Sequence, residues 1–218
     1  MRIDRDSYGS LALVYAGCIA VGFAILHWIK LPYIAWPALV LVVWFAVWQT
    51  FFFSVPKRKC AGGAGKVTSV ADGRVVIVED AVEQEYLKTE CVQVSVYMNF
   101  FDIHANFWPC DGTVTHYKYN PGKHLFAYRP KASIENEHTV TCIRLDNGKT
   151  VVFKQIAGGF ARRITCHAQK GSQVKAGEQC GIIKFGSRID IFLPKGTEVQ
   201  VKVGELVRSC ETVLADLS

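Results

Sequence analysis

Four places in the chain carry side chains suited to acid–base or nucleophilic chemistry, and each also has an ordinary reading. Gly186-Ser187 lies between two apolar, β-branched runs at 181–185 and 189–193. A turn would use such a pair, because Gly supplies unusual φ and Ser bonds the local backbone. A self-cleavage site would use it too. Gly186 has no side chain to shield its carbonyl, and the Ser187 hydroxyl becomes a nucleophile once a base takes its proton. Asp72, within ADG at 71–73, fits a turn or a catalytic carboxylate. His104, within FDIHAN at 101–106, is either a hydrogen-bonded structural residue or a base whose pKa suits neutral pH. Arg162 and Arg163 are either solvated cations or a grip for a carboxylate and a phosphodiester. Taken in chain order, Asp72, His104 and Ser187 supply the carboxylate, base and nucleophile of a triad. His116 is a second candidate base.

The elements that must position these residues are strands. After residue 56 come β-type runs at 74–79, 92–98, 139–144 and 150–153, with the turn signal Asp146-Asn147-Gly148 between the last two. No long amphipathic helix is expected there, so the domain is read as mostly β. Its Gly-spaced C-terminal third resembles the barrel-sandwich of lipoyl and biotinyl carriers. A carrier needs an exposed Lys at a hairpin tip beside a Met, and neither Met1 nor Met98 adjoins such a Lys.

The first 56 residues differ in kind. Residues 8–29 and 31–56 contain no Asp, Glu, Lys or Arg and are separated by Lys30. Each run is long enough to cross a bilayer core of about 30 Å as a helix. Their apolar character on all sides argues against a buried soluble hairpin, and two such runs do not resemble a signal peptide. Arg2, Arg5 and Lys57-Arg58-Lys59 flank the pair, which predicts both chain ends on the cytoplasmic side. His27, near a span end, reads as interfacial. The eight cysteines have no zinc-ligand spacing, so they are expected as reduced, small hydrophobes without a metal. Three of the 25 Lys+Arg and two of the 19 Asp+Glu fall before residue 57, leaving the remainder at about +5. No nucleic-acid-binding motif accompanies that charge, and attraction to anionic headgroups fits it better.

In register along the chain stand ADG at 71–73, DIHAN at 102–106 followed by PCDGTV at 109–114, PKAS at 130–133 with ENE at 135–137, QIAGGFARRI at 155–164, and FGSR at 185–188. On these motifs the chain resembles the phosphatidylserine decarboxylase proenzymes of the short bacterial and archaeal type, most of all those of Bacteroidetes.

The resemblance implies a transmembrane helical hairpin at 1–56, followed by a β-sandwich or barrel-sandwich-like pyruvoyl decarboxylase domain at 57–218. It implies self-cleavage at Gly186-Ser187 into a β chain of 1–186 and an α chain of 187–218, paired as a heterodimer and open to further oligomerisation. Ser187 would become a covalent pyruvoyl group with loss of ammonia, in place of pyridoxal phosphate or a metal. The reaction would convert phosphatidylserine to phosphatidylethanolamine and CO2 at the inner membrane, with the catalytic domain on the cytoplasmic side. Ser187, His104 and Asp72 would be catalytic, with Arg162 and Arg163 contacting substrate. Phe107 stands where many members carry a second His. Two other readings are a pyruvoyl decarboxylase of a soluble amino acid and a non-catalytic, membrane-tethered β-sandwich that binds a partner.

Overall fold

The computed structural model describes residues 1–123, 125, 132–159, 163–184 and 187–218, residue 132 by its backbone alone. The chain forms two compact units, Met1–Pro56 and Lys57–Ser218.

The first unit is built on α1 (Tyr8–Trp28) and α2 (Pro32–Phe52), each of 21 residues. At 1.5 Å per residue each is about 32 Å long, enough to cross the hydrocarbon layer. Pro32 opens α2 at a position whose N–H would have no helical partner anyway. Leu13, Phe23, Trp36 and Val40 leave most of their surface exposed, so apolar side chains cover the outside of both helices. Between them, Tyr15 Oη and Thr50 Oγ1 share a 2.6 Å hydrogen bond. The strand β1 (Arg2–Ile3) pairs antiparallel with β2 (Ser54–Val55), so the start of this unit and its exit lie side by side.

The second unit is mostly β, as its alternating apolar runs require. Its elements are β3 (Lys66–Thr68), β4 (Gly73–Val82), β5 (Glu90–Met98), β6 (Ala105–Phe107), β7 (Gly112–Asn120), the single turn α3 (Ala132–Glu135), β8 (His138–Arg144), β9 (Thr150–Ala157), β10 (Ile164–Cys166), β11 (Gln173–Val174), β12 (Gln179–Ile183), β13 (Ser187–Pro194), β14 (Leu206–Val207) and β15 (Val213–Asp216). An eight-stranded antiparallel sheet has the order β11-β7-β8-β9-β13-β5-β4-β14. Beside it are a three-stranded sheet, β10-β12-β6, and the pair β15-β3. The main core joins Val94, Val96 and Met98 of β5 and Ile189, Ile191 and Leu193 of β13 to Ile183 of β12 and Leu214 of β15. Fully burying each such Ile or Leu contributes on the order of 1.5–3 kcal/mol.

Two glycines set features the site depends on. Gly148, at φ +82°, makes the β8–β9 turn that its Asn-Gly sequence predicts. Gly73 opens β4 so close to β5 that a Cβ there would lie 2.2 Å from the Tyr97 carbonyl oxygen. This approach fixes the backbone immediately after Asp72.

Candidate active site

The sheet places Ser187 first. It is the opening residue of β13, paired with Met98 of β5 on one side and Ala157 of β9 on the other. Strand residues alternate faces, so Ser187 shares the core-facing side with Ile189 and Ile191, while Arg188 and Asp190 lie on the other. Ser187 is fully buried, and its Oγ donates to the Met98 sulfur at 3.8 Å. A thioether is a weak acceptor. Other serines of the same domain bond oxygen: Ser69 Oγ reaches the Ala71 carbonyl at 2.7 Å, and Ser133 Oγ reaches Asp190 at 2.7 Å.

His104 is held by the neighbouring small sheet. It precedes β6, whose Ala105 pairs with Ile182 of β12, and its carbonyl accepts the Ile183 N–H at 3.4 Å. Ile183 ends β12, four residues before Ser187 in sequence, so His104 lies against the chain leading to that serine. The imidazole is fully buried, with Nδ1 2.8 Å from the Asp102 carbonyl oxygen. A carbonyl only accepts, so Nδ1 carries the proton and Nε2 is the basic nitrogen of the neutral ring. Burial pushes the His104 pKa down to about 4, against the raising effects of the Asp102 carbonyl and the Asp72 charge. At neutral pH the ring is an uncharged base.

Asp72 sits in the turn before β4 and is committed elsewhere. Its Oδ2 accepts from Arg58 Nη2 at 2.7 Å, and its Oδ1 accepts from Arg58 Nη1. The Ser209 N–H and Oγ–H each donate to Oδ1 at 2.9 Å. The carboxylate therefore ties together residues 58, 72 and 209. Its influence on His104 is through charge, while the Asp102 carbonyl takes the orienting hydrogen bond that a triad would assign to the carboxylate. Arg58, part of a basic run read only as a topology signal, is the partner that the sequence did not reveal.

A phosphatidylserine decarboxylase family model matches residues 45–215. Curated relatives named phosphatidylserine decarboxylase proenzyme align along the chain. That of Parabacteroides distasonis is 36% identical, covering 100% of both chains. That of Phocaeicola vulgatus is 38% identical, covering 100% of this chain and 96% of its own. That of Nitrosomonas europaea is 46% identical over 76% of each. The chain belongs to the phosphatidylserine decarboxylase family.

Within this family member, a second set of buried polar groups reaches Ser187 through the core. Thr139 Oγ1 donates to Gln155 Oε1 at 3.0 Å, Gln155 Nε2 donates to Asn106 Oδ1 at 2.8 Å, and Asn106 Nδ2 contacts the Met98 sulfur at 3.9 Å. That sulfur is the one the Ser187 hydroxyl meets. Asn106 and Gln155 both fall inside sequence motifs but carried no assigned role. Their partners lie 49 residues apart, beyond the reach of a spacing argument. Phe107 of β6 is buried and pairs with Gln179.

The remaining candidates separate. Gly186 and Arg162 lie outside the described residues. Arg163 is exposed, and its carbonyl accepts the Lys184 N–H at 3.2 Å, beside the chain that leads to Ser187. His116 lies on β7, stacked on Tyr86 with centroids 4.3 Å apart, and takes no part in these contacts. Burial pushes the thiols of Cys110, Cys142 and Cys210 up to about 12, which keeps them protonated and unreactive.

Proposed function

We propose that this phosphatidylserine decarboxylase is membrane-anchored and makes its own reactive group by cutting itself between Gly186 and Ser187. The reading rests above all on the setting of Ser187. It is fully buried at the start of a central strand, its hydroxyl meets a thioether among the described residues, and the end of β12 that leads to it is hydrogen-bonded to a histidine that burial keeps neutral.

In cleavage, His104 takes the Ser187 hydroxyl proton and the oxygen adds to the Gly186 carbonyl carbon. The C–N bond breaks, the nitrogen is protonated, and an ester joins the two residues. Loss of the Ser187 Cα proton then expels the Gly186 carboxylate, and water replaces the nitrogen, which leaves as ammonia. The products are a β chain of 1–186 and an α chain of 187–218 with a pyruvoyl N-terminus. That group supplies a carbonyl that takes up the serine amine of the lipid and draws electrons as CO2 departs.

The residues around Ser187 fit such a group. A neutral ketone needs little solvation, and among the described residues Ser187 is surrounded by a thioether, an amide and apolar side chains. With Phe107 where many relatives have a second His, His104 serves both cleavage and the return of a proton to the decarboxylated carbon. Asp72 raises its basicity through space. Arg163, and with it Arg162, is the grip for the carboxylate and phosphodiester of the substrate.

The apolar hairpin keeps the domain at its lipid substrate, and the basic residues at both of its ends favour the cytoplasmic side of the inner membrane. The test is product formation from phosphatidylserine in mixed micelles, with free serine as the competing substrate. Phosphatidylethanolamine and CO2 from the lipid alone are expected. Equal CO2 release from free serine would favour a decarboxylase of soluble amino acids, and no release from either would end the enzymatic reading.

A further inference from the structure

One residue beyond Ser187 the strand turns a charged side chain into the protein. Arg188 leads the largest fully buried side chains, at 1% exposure, and Asp190, two residues on, is at 0%. Their pairing is two-pronged, with Nε 2.5 Å from Oδ1 and Nη2 3.1 Å from Oδ2. Arg188 Nη2 also donates to Ser133 Oγ at 2.8 Å and to Ser95 Oγ at 3.2 Å, and Ser133 Oγ donates to Asp190 Oδ2 at 2.7 Å. Ser95 belongs to β5, directly opposite Asp190, and Ser133 belongs to α3.

Stability alone does not explain this arrangement. Removing two charges from water costs about as much as their attraction returns, and well-packed apolar replacements are often neutral or better. Among the described residues, Arg188 Nη1 also has no hydrogen-bond partner, a further cost. Two positions beyond Asp190, the same face of β13 uses an ordinary apolar solution, Phe192 packed with Cys91, Val140, Cys142 and Val152. Nor is Arg188 left waiting for a ligand in the cavity of about 500 Å³ that it borders. The other nitrogen side chains there, His138 and Lys154, already meet Glu85 at 2.9 and 2.6 Å, and Arg188 meets Asp190.

What distinguishes this end of the strand is that the proposed cut falls there. Once the bond before Ser187 is gone, residue 187 is a chain terminus, and termini fray unless they are tied down. We propose that Arg188, paired with Asp190 and gripped by Ser95 and Ser133, is a positioning clamp. It holds the first residue of the α chain in register with the β chain before and after cleavage. The proposal rests on self-cleavage at Ser187. The two serines precede the cut, so after it they grip Arg188 across the chain boundary. The planar guanidinium fixes the direction of the side chain as well as its distance. Because the clamp acts one residue away on the opposite face, it limits twisting of the strand end without occupying the site.

The test uses the full-length chain with both charges removed together, Arg188→Met with Asp190→Leu. The expected result is a melting temperature equal to or above wild type, self-cleavage slowed about tenfold or more, and a similar loss of kcat with KM nearly unchanged in the cleaved fraction. Arg188→Lys keeps the charge but not the fork, and is expected not to restore wild-type rates. A folded double variant that cleaves and turns over like wild type overturns the clamp. If the double variant does not fold, Ser133→Ala decides: slower cleavage at an unchanged melting temperature supports the clamp, and wild-type rates overturn it. Wild-type protein that never cleaves would remove the underlying reading instead, so the two failures are distinguishable.

Discussion

Adjacent residues at the start of β13 are treated in opposite ways. On one face Ser187 is fully buried in the main core, with its hydroxyl on a sulfur at 3.8 Å. On the other, Arg188 is bound by a carboxylate and two serine hydroxyls at 2.5–3.2 Å. The first group meets only a weak acceptor among the described residues, and the second is held by several strong ones. A buried hydroxyl committed to a strong acceptor would need that bond broken before it could attack. A chain end without a grip would not keep the reactive atom in place. The contrast suits a bond that must break while its surroundings stay still.

The largest effect is expected at the reactive face. Ser187→Ala should yield one uncut chain and background decarboxylation, and a split of that variant at the same bond would show that another group attacks. Next comes the base. His104→Ala should slow cleavage by about 10²–10⁴-fold, measured as the half-time of chain splitting after synthesis. A half-time equal to wild type would remove His104 from the step. In the wild type, the rate should fall on acidification through about pH 4, where the buried ring takes its proton, rather than through 6.5.

The same shift affects stability. The unfolded chain binds this proton near pH 6.5 and the native chain near 4, so the contribution is fully present above 6.5 and is lost as pH falls toward 4. The loss is on the order of 3 kcal/mol, and denaturant midpoints across that window would record it. Asp72→Asn should cost about 1–3 kcal/mol by weakening the tie to Arg58 and Ser209. It should also move the acid limb to lower pH, because the Asp72 charge raises the His104 pKa. An unmoved limb would deny that coupling. The smallest effect is expected at Met98. Replacing it with Leu conserves volume, so stability should change by less than about 1.5 kcal/mol and cleavage only a few-fold. A complete block would show that the thioether does more than leave the hydroxyl uncommitted.

Much of this frame was legible in the residues themselves. Residues 181–183 of the run at 181–185 fall in β12 and the run at 189–193 in β13, the Asn-Gly turn lies between β8 and β9, and the two uncharged stretches form long apolar helices. Local pattern sufficed there because alternation, turn chemistry and span length are properties of neighbours. The contacts around the site are not. Ser187 meets Met98 across 89 residues, and Ser133 meets Asp190 across 57. Which face each residue occupies follows only when the strand register is known. Asp72 shows the limit of order along the chain. Its position before His104 suggested a hydrogen-bonded pair, but nearby Arg58 and distant Ser209 hold the carboxylate, and a backbone carbonyl orients the imidazole.

The central claim, that the bond before Ser187 is made to break while Arg188 stays fixed, is tested most directly by the intact mass of the purified full-length protein under denaturing conditions. The expected result is two chains, 1–186 with a free carboxyl end and 187–218 with an N-terminus blocked as pyruvoyl. A single uncut species of 24.3 kDa in active, folded preparations would contradict it.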